Sequence, residues 1–419
     1  MATQEILPTP PEKKFSKYQV MVIILLALTQ FTVILDFMVM SPLGDMLMKS
    51  MELSTSQFGF AVSAYAFSAG ISGLLTAGFA DRFDRKKLLL FFYIGFIVGT
   101  LFCGLATSYF MLIAARIITG VFGGVIGSVS MAIMADLFPL HQRGRAMGFM
   151  QMGFGASQVL GIPISLYIAN HWGWQSPFLM IVGLATIVWI STMMKLQPIA
   201  QHLELKSEKT AITHLWHTIK QREYRLGFLM TALLSLGGFM MMPWGSAFAV
   251  NNLHVTYEQL PLLFMVSGLA SLVVMPLVGR ISDKLSKVKI FTVAAVSMMV
   301  IIVVYTNLTP VPFVYILILN VLMMTAIMSR IVPAMALVSA LPKMQDRGAF
   351  MSINSSLQQI AGGIAAGVGG LIVVQETQTS PLRHYNTLGY VILFIIIANI
   401  IQVFRVDKLV KARLHTDKT

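Results

Sequence analysis

The sequence predicts an all-α membrane protein, with twelve transmembrane helices in two pseudo-symmetric six-helix bundles. Composition is the first reason. Charged residues are 11% of the 419 and hydrophobic residues 56%, with a mean hydropathy of +0.77. A water-soluble domain carries roughly 25% charged residues, so this chain lacks the polar surface to face water on every side. The second reason is length. Twelve apolar runs approach the ~20 residues that cross hydrocarbon, at 18–43, 56–80, 87–106, 109–137, 143–168, 174–195, 225–250, 257–280, 288–307, 311–340, 346–374 and 386–405. The third is the placement of Lys and Arg, which fall almost wholly in alternate loops.

Each element follows from the same physics. Residues 1–17 are polar and carry Lys13, Lys14 and Lys17. The first apolar run has no cleavage pattern and is span-length, so it reads as an uncleaved helix. Hydrocarbon offers backbone groups no water partner, so the runs must be helical. The ~10-residue alternating strands of a membrane barrel are not present in the pattern. The predicted layout is a tail at 1–17, a first bundle at 18–195, a linker at 196–224, a second bundle at 225–405 and a tail at 406–419. Alternate loops, beginning with the N-terminus, hold 26 Lys and Arg residues against two, Lys49 and Arg383, on the opposite side. The basic side of such a protein stays inside the cell, which predicts cytoplasmic termini and a place in the cell (inner) membrane. It also accounts for the net charge of +13 with the lipid bilayer, not nucleic acid, as partner. Within the linker, Ile212 to Tyr224 is amphipathic, with Leu215, Trp216 and Ile219 among basic residues, and predicts a helix lying on the membrane surface. The single cysteine, Cys103, forms no internal disulfide and belongs to no metal-ligand spacing. The 30 methionines are scattered and read as adaptable packing, so no metal and no cofactor is expected.

The two halves repeat their punctuation. Gly78-Phe-Ala-Asp81-Arg82-Phe-Asp84-Arg85-Lys86-Lys87 follows the second span, and Gly279-Arg-Ile-Ser-Asp283-Lys284-Leu-Ser-Lys287 follows the eighth. Arg143-Gly144-Arg-Ala-Met147 opens the fifth span, and Arg347-Gly348-Ala-Phe-Met351 opens the eleventh, 204 residues later. With the central linker and the six-plus-six plan, these loops resemble the major facilitator superfamily over essentially the whole chain. Within it the chain looks most like the twelve-helix drug and metabolite proton antiporters. The resemblance implies two halves that rock about a site near the midplane. It also implies that Asp81, Arg82 and Arg85 form a gate-holding charge cluster, with Asp136 as partner of Arg85 and Asp283 as the second copy of Asp81. The chain departs from the family pattern at Ala77, with Gly78 one residue late, and at Asp84, where a glycine is usual.

Ionisable residues at membrane depth are functional candidates by default. Asp36, Arg116 and Arg330 are the three clear cases. The resemblance makes the first and fourth helices neighbours at the cavity, so Asp36 and Arg116 are expected to interact. Burial disfavours the charged form of a carboxylate, while a cation favours it. A motion that separates the pair would then load Asp36 with a proton. A static pair that fixes packing is the plainer alternative. Arg116 heads Arg116-x-x-x-Gly120-x-x-Gly123-Gly124-x-x-Gly127, small residues at helical spacing that resemble the fourth-helix motif of proton-coupled members. Thr29 and Thr32 share a helical face with Asp36 and are candidates for the lining of the same substrate cavity. Arg330 has no acidic residue at its depth. It fits a counter-charge for an anionic substrate, a partner of a carboxylate across the cavity, or a side chain snorkelling to the surface.

Further polar candidates for the substrate cavity are Gln30, Gln151, Gln158, Asn320, Asn354 and Gln358, with interhelical hydrogen bonding as the equal alternative. Gln151 and Gln158, seven apart, fall on one face of a regular helix. Phe239 and Trp244 suggest an aromatic wall. The fifth span holds Gly153, Gly155, Gly161 and Pro163, but Ile162 interrupts the Gly-Pro of the family's antiporters. Three functional readings follow: a proton-coupled exporter of a drug or metabolite, an importer or exchanger of an anionic metabolite or amphiphile, and a non-transporting membrane sensor. Small-molecule solutes and protons are the partners of the first, and a monomer is expected. No nucleophile-and-base spacing and no phosphate-cradling loop points to an enzyme or to ATP.

Overall fold

The computed structural model describes residues 15–76, 82–200, 211–343 and 346–416. Twelve long helices dominate. They are α1 (Lys17–Val39), α2 (Thr55–Thr76), α3 (Arg85–Gly104), α4 (Tyr109–Leu137), α5 (Leu140–Ala156, a π-turn Ser157–Gly161, then Ile162–Trp172) and α6 (Ser176–Lys195). In the second half come α7 (Arg222–Asn251, interrupted), α8 (Leu260–Lys284), α9 (Lys287–Thr306), α10 (Phe313–Ser339), α11 (Arg347–Ile372) and α12 (Tyr385–Thr416). Among the described residues the only β pairing is an isolated bridge between Val374 and Arg383. The face where α1 begins and α12 ends carries most of the basic residues and is called the basic face below; the other is the far face.

The helix starts are chemically specified. Ser16 caps α1 and Gln19 reaches back in a capping box; Ser108 caps α4 through the Met111 amide. Each hydroxyl satisfies an N–H that the helix itself leaves without a partner. Eleven of the helices are long and apolar enough to cross a membrane. The exception is α11, which carries Asn354, Gln358 and Gln359 and a run of glycines. It lies between other helices, along α2 and α7, and its Asn354 and Gln358 line a cavity of the second half, away from the apolar outer surface. Lipid-facing positions elsewhere hold bare apolar groups, such as Phe110 at 83% exposed and Phe394 at 74%.

Several boundaries depart from the expected runs, each for a local reason. The first run continues to residue 43, but α1 ends at Val39, because Ser41-Pro42 turns the chain into a short helix, Gly44–Ser50, at the far face. The seventh span breaks after Phe239 into a 3-10 turn, Met242–Trp244, and resumes at Gly245–Asn251. Pro243 has no N–H to continue the α pattern. The expected tail after residue 405 is a continuation of α12 as far as Thr416, helped by a Lys411–Asp407 pair of 2.6 Å one turn apart. The amphipathic part of the linker contains a helix, Ala211–Lys220, with Trp216 exposed and the Lys220 ammonium 5.1 Å over its ring.

Close helix contacts depend on small residues. A Cβ on Gly124 of α4 would sit 2.5 Å from the Ala69 carbonyl oxygen of α2. Between the halves, α2 lies along α11. Thr55 Oγ1 donates to the Val373 carbonyl at 2.6 Å and Ser63 Oγ to the Gly363 carbonyl at 2.7 Å. A Cβ on Gly59 would come 2.8 Å from the Ala366 carbonyl, and one on Gly70 would come 2.9 Å from that of Ser356.

Candidate functional site

The most deeply buried charges pair within the first half. Asp36 of α1 and Arg116 of α4 are both 0% exposed, and Arg116 Nη1 donates to Asp36 Oδ2 at 2.9 Å. Thr100 of α3 donates to Asp36 Oδ1 at 3.1 Å. The guanidinium lies 4.5 Å from the centre of the Tyr65 ring of α2, an arrangement in which the ring face attracts the cation. Four helices therefore converge on one ion pair. Arg116 Nε and Nη2 have no hydrogen-bond partner, so the pair is held by one strong hydrogen bond and leaves part of the cation's donor capacity unused. Sequence reasoning did not select Thr100 or Tyr65; neither residue type stands out in an apolar run.

The candidates around the pair separate into different roles. Thr32 Oγ1 is 2.8 Å from the Tyr93 hydroxyl, and Thr29 Oγ1 donates to the Leu25 carbonyl. Both threonines are buried against α3 and do not line the cavity of the second half. Gln30 is buried, with its side-chain amide against Gly127. Gln151 is exposed, whereas Gln158 is 8% exposed and accepts from Ser271 Oγ of α8 at 2.7 Å. Their expected common face assumed a regular helix. The π-turn that holds Gln158 breaks that register and turns the amide onto α8. Asn320 donates to the Ile316 carbonyl, away from the cavity.

The second half forms a partly open cavity of about 100 Å³ between α7, α9, α10 and α11. Phe239, Arg330, Asn354 and Gln358 line it, with Thr231 and Ser235 as further polar groups. Arg330 is 2% exposed, so it does not snorkel to either surface. Its Nη1 donates to the Met298 sulfur at 2.7 Å, and its guanidinium sits 5.5 Å from the Phe291 ring centre. Among the described residues it has no ion pair, and Nε and Nη2 have no hydrogen-bond partner. Trp244 is not part of this lining. It is fully buried at the far face, 5.6 Å ring to ring from Phe58 of α2.

At the basic face, Arg85 Nε meets Asp136 Oδ2 at 3.3 Å. Asp84 caps α3 through the Lys87 amide and accepts from the Ile199 amide at 3.1 Å, which ties the chain after α6 to the loop. That is a task a glycine lacks the side chain to perform. Arg82 is exposed. Asp81 lies outside the described residues. Asp283 belongs to α8, with its side chain outside them too.

The far face holds a cluster that sequence reasoning missed. Asp45, on the short helix after α1, is 1% exposed. It accepts from Asn251 Nδ2 of α7, from the Tyr257 hydroxyl before α8, and from Lys49 at 2.8 Å. Lys49 also donates to Asn251 and Tyr257, each at 3.1 Å. Ser41 donates to the Met242 carbonyl, and Ser246 donates to the Ser41 carbonyl at 2.9 Å. Asn170 of α5 donates to the Tyr257 carbonyl at 2.7 Å. Burial, then the hydrogen bond and charge of Asp45, push the Tyr257 phenol above its ordinary value. Asp45 and Lys49 at i,i+4 just after Ser41-Pro42 were the available signal. The Asn251 and Tyr257 partners were not legible, since they lie some two hundred residues away. These bonds join the halves at the far face, and the Gln158–Ser271 bond joins them near mid-depth.

Three comparisons with known proteins bear on this arrangement. A family model described as Major Facilitator Superfamily matches residues 26–406. An MFS-type transporter of Bacillus subtilis, YceJ, is 25% identical over 259 residues, 62% of this chain and 66% of that one. A probable sugar efflux transporter of Helicobacter pylori is 24% identical over 278 residues, 66% of this chain and 69% of that one. These two matches thus span about two thirds of the relatives' lengths. A crystal structure of a D-xylose–proton symporter superposes with a TM-score of 0.75 at 17% identity, covering 91% of this chain and 97% of that one, which shows the shared fold.

Proposed function

The chain belongs to the major facilitator superfamily, and from that premise we propose that it exports a small organic solute in exchange for protons. As a member it is a membrane transporter and not an enzyme. The proposal adds direction, coupling and orientation. The basic face is cytoplasmic, in the cell (inner) membrane, a reading supported by the distribution of Lys and Arg. Residues 18–195 and 225–405 rock as two units joined by 196–224. The far-face bonds around Asp45 are those of a state shut to the outside. Arg82, Arg85 and Asp136, with Asp81 and Asp283, guard the cytoplasmic side.

The Asp36–Arg116 pair is the observation that carries the reading. A carboxylate held by one guanidinium and one hydroxyl, away from water, has two low-energy conditions: paired and charged, or separated and protonated. When the rocking is accompanied by a shift of α4 against α1 inside the first half, the pair parts and Asp36 takes a proton. When the pair reforms, the proton leaves. Export direction draws support from the relative named as a probable sugar efflux transporter.

The test is proton release by the purified protein in detergent at mildly alkaline pH, as a panel of drugs, sugars and metabolites is added. Native protein should release protons with a bound solute, and Asp36→Asn should bind without release. Solutes that stabilise both proteins against heat while neither releases protons would overturn the coupling. A second reading, exchange of an anionic solute without protons, is favoured by the unpaired Arg330.

A further inference from the structure

We propose that the cavity between α7, α9, α10 and α11 is a binding site for a small apolar monocarboxylate, gripped side-on by the guanidinium of Arg330. The proposal rests on the reading of the protein as a solute carrier, and it names the class of solute.

Arg330 is a cation 2% exposed with no acidic neighbour among the described residues. From the end of the linker onward the acids are Glu223, Glu258, Asp283, Asp346, Glu376, Asp407 and Asp417. By sequence they sit in loops or near helix ends, far along the chain from the depth of Arg330. An unpaired buried charge is expensive to keep, and removing a partner from a buried pair costs about 3–5 kcal/mol. A fold that tolerates one is missing a counter-charge that arrives with a ligand. Arg116 provides the internal contrast, since it has the same burial but a resident carboxylate, Asp36.

The unused donors specify the shape of that ligand. Nη1 is occupied by the Met298 sulfur at 2.7 Å. Nε and Nη2 have no partner and are themselves fully buried, so a ligand in the cavity reaches them when the guanidinium turns toward it. Those two N–H groups point in parallel along one edge of the planar guanidinium, at the spacing of the two oxygens of a carboxylate. Arginine uses that fork for bidentate recognition, whereas lysine offers only a point charge. The Oδ1 atom of Asn354 is also buried without a partner. It is an acceptor and suits a donor on the same ligand, such as an α-hydroxyl or amide N–H. Apart from Arg330, Asn354, Gln358, Thr231 and Ser235, the lining is apolar, with Leu234, Phe239, Ile327, Ile331 and several methionines. The ligand therefore has one anionic head and an apolar body; a sugar or a polyanion would leave its remaining polar groups unpaired against that wall.

The experiment compares three isosteric probes on full-length protein in detergent at neutral pH: benzoate, benzamide and benzylammonium. Binding is read by thermal stabilisation and by titration calorimetry. Benzoate should bind, and the other two should bind at least about tenfold more weakly, because each lacks the charge that the fork needs. Arg330→Lys keeps the charge and loses the fork, so benzoate affinity should fall about tenfold. Asn354→Asp places a resident carboxylate in the cavity, so it should block benzoate while making the unliganded protein harder to melt. Benzoate binding is read without reference to proton release, so a native protein that binds benzoate and releases no proton upholds this site while overturning the coupling reaction. Equal binding of benzoate and benzamide, native-like affinity in both Arg330→Lys and Asn354→Asp, or no binding of benzoate or of the homologous series from acetate to octanoate would each overturn the assignment.

Discussion

Replacing Asp36 by Asn tests whether the central ion pair is energetically a unit. The amide keeps the shape of the carboxylate and still accepts the 3.1 Å hydrogen bond from Thr100. What is lost is the charge facing Arg116, whose Nε and Nη2 already lack partners. Stranding one member of a buried pair costs about 3–5 kcal/mol, and the Tyr65 ring 4.5 Å away offsets at most ~2 kcal/mol of it. The single variant should therefore lose about 1–5 kcal/mol, a factor of roughly 5 to 5,000 in the folding equilibrium. Arg116→Met alone strands the carboxylate and should cost a similar amount. The double variant carries no charge at the site, so it should recover most of the loss and give a coupling of about 2 kcal/mol or more. Reversible unfolding in mixed micelles, titrated with a denaturing detergent and followed by circular dichroism, reads all three. Strict additivity of the two singles, or an Asp36→Asn protein within ~0.5 kcal/mol of native, would refute the reasoning and reduce the pair to a bystander.

Other outcomes are as concrete. Gly124→Ala pushes a Cβ to 2.5 Å from a backbone oxygen of Ala69 and should cost about 1–3 kcal/mol by overpacking, whereas Gly148→Ala, with nothing within 4 Å, should be neutral or slightly stabilising. Asp45→Asn should loosen the far-face cluster. A cysteine placed at the buried Ser246 should then react several-fold faster with a membrane-impermeant thiol reagent applied outside, over a low background because Cys103 is fully buried. The raised Tyr257 phenol makes its contribution below its ordinary value of about 10 and loses it as pH climbs through the raised one. Labelling of the Ser246→Cys protein, divided at each pH by the rate of a small free thiol so that the thiolate's own titration cancels, should accordingly stay flat from about pH 6 to pH 9, while Tyr257→Phe should increase it throughout that range.

Much of the architecture was legible because hydrocarbon asks for one thing, a long apolar run, and the chain supplies it. Even α11, the helix too polar to pass on hydropathy alone, announced itself through Arg347-Gly348, the repeat of Arg143-Gly144. Asp36 and Arg116 were legible by the same logic, since a charge in an apolar run has few reasons to exist. The rest depended on register and on distant partners. A π-turn leaves no mark in a hydropathy pattern, so the spacing puts Gln158 on the face of Gln151, whereas its amide meets Ser271 of α8. Trp244 looked like lining for the cavity, but Pro243 breaks α7 and turns the ring into the far-face seam. Asp45 sits outside any apolar run, where a carboxylate is unremarkable until Asn251 and Tyr257 are seen around it.

The seam between α2 and α11 carries one more implication. Its hydrogen bonds run from serine and threonine hydroxyls to main-chain carbonyls, Ser63 to Gly363 and Thr55 to Val373. Every residue of α11 owns a carbonyl, so a hydroxyl that leaves one acceptor finds an equivalent one a short slide away. The glycines on both sides present no bumps to climb. A joint of this kind behaves as a bearing: it resists pulling apart yet exerts little preference among neighbouring settings. Bulk is what would jam it, and a single methyl at Gly59 or Gly70 is the smallest wedge available.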